Sequence, residues 1–209
     1  MKITRKTQSD HWKNNKSSNI SEAYFISPPG IERSKFFVRQ LENYSFDSIF
    51  EVGCMSGRNL FYIQKAFPDT KISGLDINSK AIKYARNKLN LNKELLCMNL
   101  HNMDDIKEKF DVVFSSGVLI HVVVDDLENV VEKMIRRSNK YIMHIEQLGP
   151  NEVAAGPKHL NPKYKVSDQV QFNIDLLPIY RNLGYELKVI NLPESCRTNG
   201  AKELVIVEK

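Results

Sequence analysis

The sequence predicts an α/β domain built on a mostly parallel sheet, and three observations predict it. Short apolar runs alternate with stretches of helical period between residues 48 and 146. A glycine-bearing turn follows the first of those runs directly, and an acid closes the second. Apolar runs bounded by turn signals read as buried strands, and strands alternating with helices make βαβ units with right-handed crossovers.

The chain has 209 residues, which suits one domain with a small appendage. Residues 1 to 30 are polar, lack a clear period and end in Ser27-Pro28-Pro29-Gly30, so they predict an arm or lid outside the sheet. Trp12, Tyr24 and Phe25 within the arm need something to pack against; they either line a pocket or anchor the arm. Ile31, Phe36, Phe37, Val38 and Leu41 predict a helix with one buried face, opening a domain that runs from 31 to 209. Ser48–Val52 reads as the first strand and Asn59–Ala66 as a helix closed by Phe67-Pro68-Asp69. Lys71–Asp76 is a strand, Ser79–Leu89 a helix and Leu95–Met98 a third short strand. Asp111–Ser115, a helix over Asp125–Arg137 and a strand over Tyr141–Glu146 complete the alternation. Residues 147–170 then form a loop too long for a mere connector, rich in Gly-Pro and Asn-Pro pairs. A helix over Phe172–Leu183 and two strands, Tyr185–Ile190 and Glu203–Val207, bring the strand count to seven.

Composition narrows the function classes. No apolar stretch approaches a membrane span, and the polar N-terminus lacks the apolar heart of a signal peptide, so a cytoplasmic protein is expected. Cys54, Cys97 and Cys196 form no CxxC pair; Cys54 and Cys97 lie beside apolar residues and read as packing residues. No His/Cys cluster has zinc spacing, and no metal is expected. The net charge of +5 is modest. Basic helix faces are usually just solvated, so this charge favours an anionic small molecule no less than a nucleic acid.

The chemistry concentrates in Phe50-Glu51-Val52-Gly53-Cys54-Met55-Ser56-Gly57-Arg58-Asn59. Glycines at a strand-to-helix turn let the backbone approach a ligand, and the helix start presents free amides to it. Ligands of open parallel sheets sit outside the carboxyl ends of the strands, where Asp76 can accept hydrogen bonds from both hydroxyls of a ribose. Glu51 lies where a dinucleotide would bring its pyrophosphate. A carboxylate there disfavours phosphates and favours a cationic ligand.

Residues 48 to 146 resemble the core of the class I S-adenosylmethionine-dependent methyltransferases. Their acid-x-Gly-x-Gly-x-Gly turn and the acid ending the second strand are matched by Glu51, Gly53, Gly57 and Asp76, with Met55 in place of the middle glycine. The resemblance implies a Rossmann-like three-layer sandwich with an antiparallel C-terminal strand, and S-adenosylmethionine as cofactor. It implies a cofactor site of Glu51, Gly53, Cys54, Gly57, Asn59, Asp76 and Ile77. Asn99 and Leu100 would meet the adenine, and Ser115 and Ser116 the methionine end. Phe50–Leu60, Gly117–His121 and Tyr141–Gly156 are further similar to methylases of pseudaminic acid biosynthesis, implying a small-molecule acceptor such as a sugar or nucleotide sugar.

Three candidates for catalysis fall near the carboxyl ends of the fourth and fifth strands. His121 is a general base or a histidine capping the next helix. Glu146 is a substrate contact or half of a surface salt bridge. His144, in phase with Ile142 and Glu146 on its strand, reads better as a hydrogen-bonded core histidine than as a base. The loop residues Lys158, His159, Lys163 and Lys165 either meet an anionic substrate or are solvated. An NAD-dependent oxidoreductase fits less well, because the turn lacks GxGxxG. An RNA or protein methyltransferase and a silent methyltransferase-like subunit remain the alternatives.

Overall fold

The computed structural model describes residues 4–14, 20–91, 94–146, 148, 152–155, 171–197 and 202–209. Central strands of a parallel sheet are covered on both faces and so need apolar side chains in both phases. Here β1 (Ser48–Val52), β2 (Lys71–Asp76), β3 (Leu95–Cys97), β4 (Phe110–Ser116) and β5 (Ser138–Glu146) meet that demand and pair in parallel. Two further strands, β8 (Leu187–Asn191) and β9 (Glu203–Glu208), complete a seven-stranded sheet of order β3-β2-β1-β4-β5-β9-β8. β9 runs antiparallel to both its neighbours, as expected for this Rossmann-like architecture. Between them in sequence, β6 (Glu152–Ala155) and β7 (Gln171–Asn173) form a separate antiparallel pair within and beyond the expected loop 147–170.

Alternation along each strand sorts side chains onto two faces. On one, Phe50, Val113 and Ile142 meet Leu127, Val130, Val131 and Met134 of α6 (Val124–Arg137). Those four recur at i, i+3, i+4 and i+7, the period that puts them on one stripe. On the other face, Ile49, Phe114 and Met143 meet Phe36, Phe37 and Leu41 of α3 (Pro28–Leu41), together with α4 (Arg58–Ala66) and α5 (Ser79–Leu89). Fully burying side chains of this size contributes about 1.5–3 kcal/mol each. The Phe37 and Phe114 rings lie 4.8 Å apart and join the third layer to the sheet.

Several local expectations change. Ser27-Pro28-Pro29-Gly30 is a helix start rather than a break, because proline at the first helical positions sacrifices no hydrogen bond. The polar arm contains two helices, α1 (Arg5–Lys13) and α2 (Ile20–Ile26). α1 begins at a capping box in which Thr4 and Thr7 satisfy each other's amides. The helix expected over Phe172–Leu183 is shorter: α7 spans Leu177–Asn182, and Phe172 belongs to β7. Pro178 explains the shift, since its missing N–H is tolerated only in a first turn. Cys54 is core, but Cys97 is exposed, at the end of the edge strand β3.

The turn from β1 into α4 depends on Gly57, which caps α4 with φ +76°. A Cβ there would lie 2.9 Å from Leu89 Cδ1 and 3.0 Å from Ala85 Cβ. Gly57→Ala is therefore expected to destabilise the protein by about 1–3 kcal/mol, seen as a lower urea midpoint at unchanged m-value.

Candidate functional site

β1 has β2 on one side and β4 on the other, while their onward connections lead to opposite faces of the sheet. A crevice opens outside their carboxyl ends at that point. The turn after β1 is pinned across it: the amides of Gly53 and Cys54 both donate to Leu75 O, at 2.8 and 2.9 Å. Gly53 has φ +73°, and a Cβ there would strike Val118 Cγ2 at 2.4 Å. This glycine thus makes room for the loop after β4. Met55, the residue in place of a glycine, adopts φ +48°. Its amide donates to Asp76 Oδ2 at 2.9 Å, which offsets the steric cost of that conformation.

Asp76 is aimed by the backbone. Its other oxygen accepts the Asn78 amide at 2.8 Å, while Asn78 caps α5 and donates to Trp12 O. Burial raises the Asp76 carboxyl, and the Asn78, Met55 and Ile77 amides pull it back down.

Glu51 occupies the opposite wall, 2% exposed. Its Oε1 accepts from Asn59 Nδ2 at 2.6 Å, and Asn59 Oδ1 accepts from Ser34 Oγ at 2.6 Å. Oε2 is buried without a partner. Burial lifts the carboxyl to about 8, against the opposing pull of Asn59 and of Arg58. Arg58 itself donates to Tyr24 O and to Ser34 Oγ.

These groups line one cleft of ≈ 1070 Å³, counting its open mouth. Of the expected cofactor residues, Glu51, Gly53, Cys54, Asn59, Asp76 and Ile77 lie on its wall. Asn99 and Leu100 line it after β3, and Ser116 after β4. Gly57 and Ser115 do not. Gly57 is spent on the helix cap, and Ser115 points to the opposite sheet face from Phe114.

The three catalytic candidates separate. His121 lines the cleft, its ring 4.7 Å from that of Trp12. His144 does not reach it: Nδ1 meets Ser115 Oγ at 2.8 Å and Nε2 meets Tyr180 OH at 2.6 Å, all fully buried. Burial holds this histidine neutral, down to about 3, so it is a core hydrogen-bonding residue. Glu146 is buried rather than on the surface. Its Oε1 accepts the Val118 amide at 3.1 Å, which ties down the loop carrying His121.

Trp12 and Tyr24 line the cleft, whereas Phe25 anchors the arm against Phe61 and Tyr84 at 5.2 and 5.8 Å. Ser9 reaches Asn99, and Arg5 pairs with Asp126, so α1 lies across the cleft. Arg33 and Arg58 were not anticipated. Arg33 stands in phase with Phe37 and Leu41 of the buried stripe, a signal readable in retrospect. Lys158, His159, Lys163 and Lys165 lie outside the described residues. Among the described residues no His/Cys/Asp/Glu cluster is arranged for a metal, and no helix is long and apolar enough to cross a membrane.

A carboxyl raised from 4.5 to about 8 stays protonated in the fold while the unfolded chain ionises. Its contribution is neutral below about pH 4.5 and increasingly unfavourable up to about pH 8. Glu51→Gln is expected to flatten that decline. The gain in ligand-free stability should grow by at most roughly 1.4 kcal/mol per pH unit across the window, measured by urea unfolding at several pH values.

Residues 49–140 match the methyltransferase-domain family. Malonyl-[acyl-carrier protein] O-methyltransferase of Acetivibrio thermocellus is 29% identical over 97 residues, covering 46% of this chain and 33% of that protein. The chain spans a third or less of the length of the curated relatives it matches. Magnesium protoporphyrin IX methyltransferase from Synechocystis PCC 6803, solved with bound SAH, superposes with a TM-score of 0.71 at 12% identity, over 99% of this chain and 100% of that one. The plantazolicin methyltransferase BpumL in complex with SAH gives 0.68 at 16% identity, over 97% and 94%. Residues 49–140 are thus similar to a methyltransferase domain, and the chain shares the Rossmann-like fold of these solved structures.

Proposed function

We propose that the chain transfers the methyl group of S-adenosylmethionine to a small-molecule acceptor. The observation that carries this is a cleft with two differently prepared carboxyl groups at the switch point of the sheet. Asp76 has both oxygens oriented by backbone amides, and each keeps a lone pair for a ribose hydroxyl. Glu51 keeps Oε2 buried and unpartnered, a place for an ammonium and a poor one for phosphate. Trp12 Nε1 and Ser116 Oγ are likewise buried on the same lining without partners, so the cleft offers donors and an acceptor that the polypeptide leaves unused. The residues thus fit the cofactor.

When bound, S-adenosylmethionine supplies an already activated sulfonium methyl. The protein's work is orientation and exclusion of water, worth roughly 7–11 kcal/mol in well-aligned systems. Asn99 and Leu100 would flank the adenine, Ile77 and Asp76 the ribose, and Glu51, Gly53 and Ser116 the amino-acid end. α1 acts as a lid, held by Ser9 on Asn99, the Trp12 carbonyl on Asn78 and Trp12 against His121. His121, on the cleft lining, would take a proton from an acceptor hydroxyl, a role typically worth ~10²–10⁴-fold. The loop spanning 147–170 would select the acceptor. A sugar or nucleotide sugar is the class implied by the resemblance to pseudaminic-acid methylases. The related proteins are named for magnesium protoporphyrin IX, plantazolicin and malonyl-[acyl-carrier protein], which are too diverse to narrow it.

Calorimetric titration with S-adenosylmethionine and S-adenosylhomocysteine tests the reading. Wild type should bind both, and Asp76→Ala should weaken them by on the order of 10–100-fold, the worth of hydrogen bonds to a charged group. Binding of NAD alone would sink the proposal. Binding of none of them would point to a silent subunit.

A further inference from the structure

Behind the cleft, three neutral polar side chains lead in line to an acid, and each has few protons to give. Tyr180 OH meets His144 Nε2 at 2.6 Å, and His144 Nδ1 meets Ser115 Oγ at 2.8 Å. Tyr180, His144, Ser115 and Glu146 are all fully buried. Burial raises the Glu146 carboxyl; hydrogen bonds from the Ser115 hydroxyl and from the amides of Val118, Leu119 and Ile120 draw it back down. The Arg33 guanidinium is also within electrostatic reach of it. Four donors are directed at this one carboxyl group, which therefore serves as an acceptor.

The direction of the chain follows from that acceptor. Ser115 has one proton and gives it to Glu146, so its oxygen must accept from His144 Nδ1–H. His144 is neutral, held down to about 3 by burial, and carries a single ring proton. Its Nε2 is then bare and accepts from Tyr180, whose hydroxyl burial keeps protonated. The reverse direction would turn the Ser115 proton toward His144 and leave a buried carboxyl short of a donor. At its other end Glu146 grips a turn. The Gly117 amide donates to Ile145 O at 2.9 Å and the Val118 amide to Glu146 Oε1 at 3.1 Å. The His121 amide donates to Val118 O at 3.0 Å, closing the short 3-10 helix Leu119–His121 that sets His121 against Trp12.

We propose that Glu146 is a positioning residue: the terminal acceptor of a one-way hydrogen-bond chain from Tyr180, it fixes the turn that presents His121 to the cleft. The part given to His121 rests on the methyltransferase reading, whereas the chain and the turn do not. Glu146 is absent from the cleft lining, so it acts through the backbone of residues 118 to 121. A base must stand within hydrogen-bond reach of the proton it takes, and a misplacement of about 1 Å can cost on the order of 10²-fold in rate. The same chain requires His144 to carry its proton on Nδ1.

The chain has one tryptophan and five histidines, so NMR can read both ends of this arrangement. At neutral pH the ring nitrogen shifts of His144 show which nitrogen carries the proton. Cross-relaxation between the Trp12 and His121 rings, 4.7 Å apart, reports the turn. Thermal melts establish folding, and calorimetry with S-adenosylhomocysteine runs alongside. Wild type should show His144 protonated on Nδ1 together with the Trp12–His121 cross-peak. Glu146→Met, which removes the acceptor, should move the proton to Nε2 and lose the cross-peak. Ser115→Ala disturbs the same core but leaves the carboxyl on the amides, so it should keep the cross-peak. If Glu146→Met does not fold, Glu146→Gln decides by whether both signals weaken. The proposal is overturned by His144 protonated on Nε2 in wild type, by a Glu146 variant that keeps either signal in full, or by loss of the cross-peak in Ser115→Ala. A wild type that binds no S-adenosylhomocysteine overturns the methyltransferase reading, and the NMR result still decides the positioning of the turn.

Discussion

A carboxyl group held out of water at the end of β1 is the constraint around which the site is arranged. Glu51 cannot ionise cheaply where it is, yet the chain surrounds it with side chains that only a polar neighbour justifies. Asn59 comes from the first turn of α4 to bond one oxygen, Ser34 comes from α3 to orient Asn59, and Arg58 binds Ser34 and the carbonyl of Tyr24. Three helices thus meet over one side chain. Replacing a buried polar cluster by apolar residues often stabilises a protein, so its presence here reads as stability given up for a site.

A second buried polar chain supports the other rim. Tyr180 of α7 meets His144, His144 meets Ser115, and Glu146, from the same strand as His144, accepts the amide of Val118. Val118 in turn fills the space left by Gly53. Packing on the α6 face of the sheet therefore reaches the cleft through the loop after β4, although neither Ser115 nor His144 touches the cleft.

The legible part of the molecule was the part governed by period. Strands β1 to β5 and helices α4 to α6 announce themselves through apolar repeats, and the Glu51–Gly57 turn and Asp76 through residue types whose chemistry is narrow. The parity of β5 correctly grouped Ile142, His144 and Glu146, but parity cannot say which layer a face meets or how deep. That is why the burial of Glu146 was not legible, whereas His144 is the hydrogen-bonded core residue that its phase suggested. α1 and α2 escaped because short polar helices have little period to show, and their order comes from caps and from docking on Asn78, Asn99 and Phe61. Arg33 escaped because a charge within an apolar stripe is ordinarily discounted as solvated. Pro178 fixed the start of α7 in plain sight, and Met55 showed that a hydrogen bond to Asp76 can replace the freedom of a glycine.

The order of strands also dictates an order of assembly. β9 lies between β5 and β8 although it follows both in sequence, so β8 has no neighbour in the sheet until β9 arrives. Whether β8 and β9 pair first as a hairpin or β9 pairs with β5 before β8 joins, β5 waits with its edge unpaired until β9 has been made. That edge runs through Ile142, Met143 and Ile145, each buried once β9 pairs with it. Unpaired apolar edges recruit other chains, and pairings between distant segments are slow to form. The slow step of folding and the window for self-association are therefore expected to coincide, at the closure of this one gap.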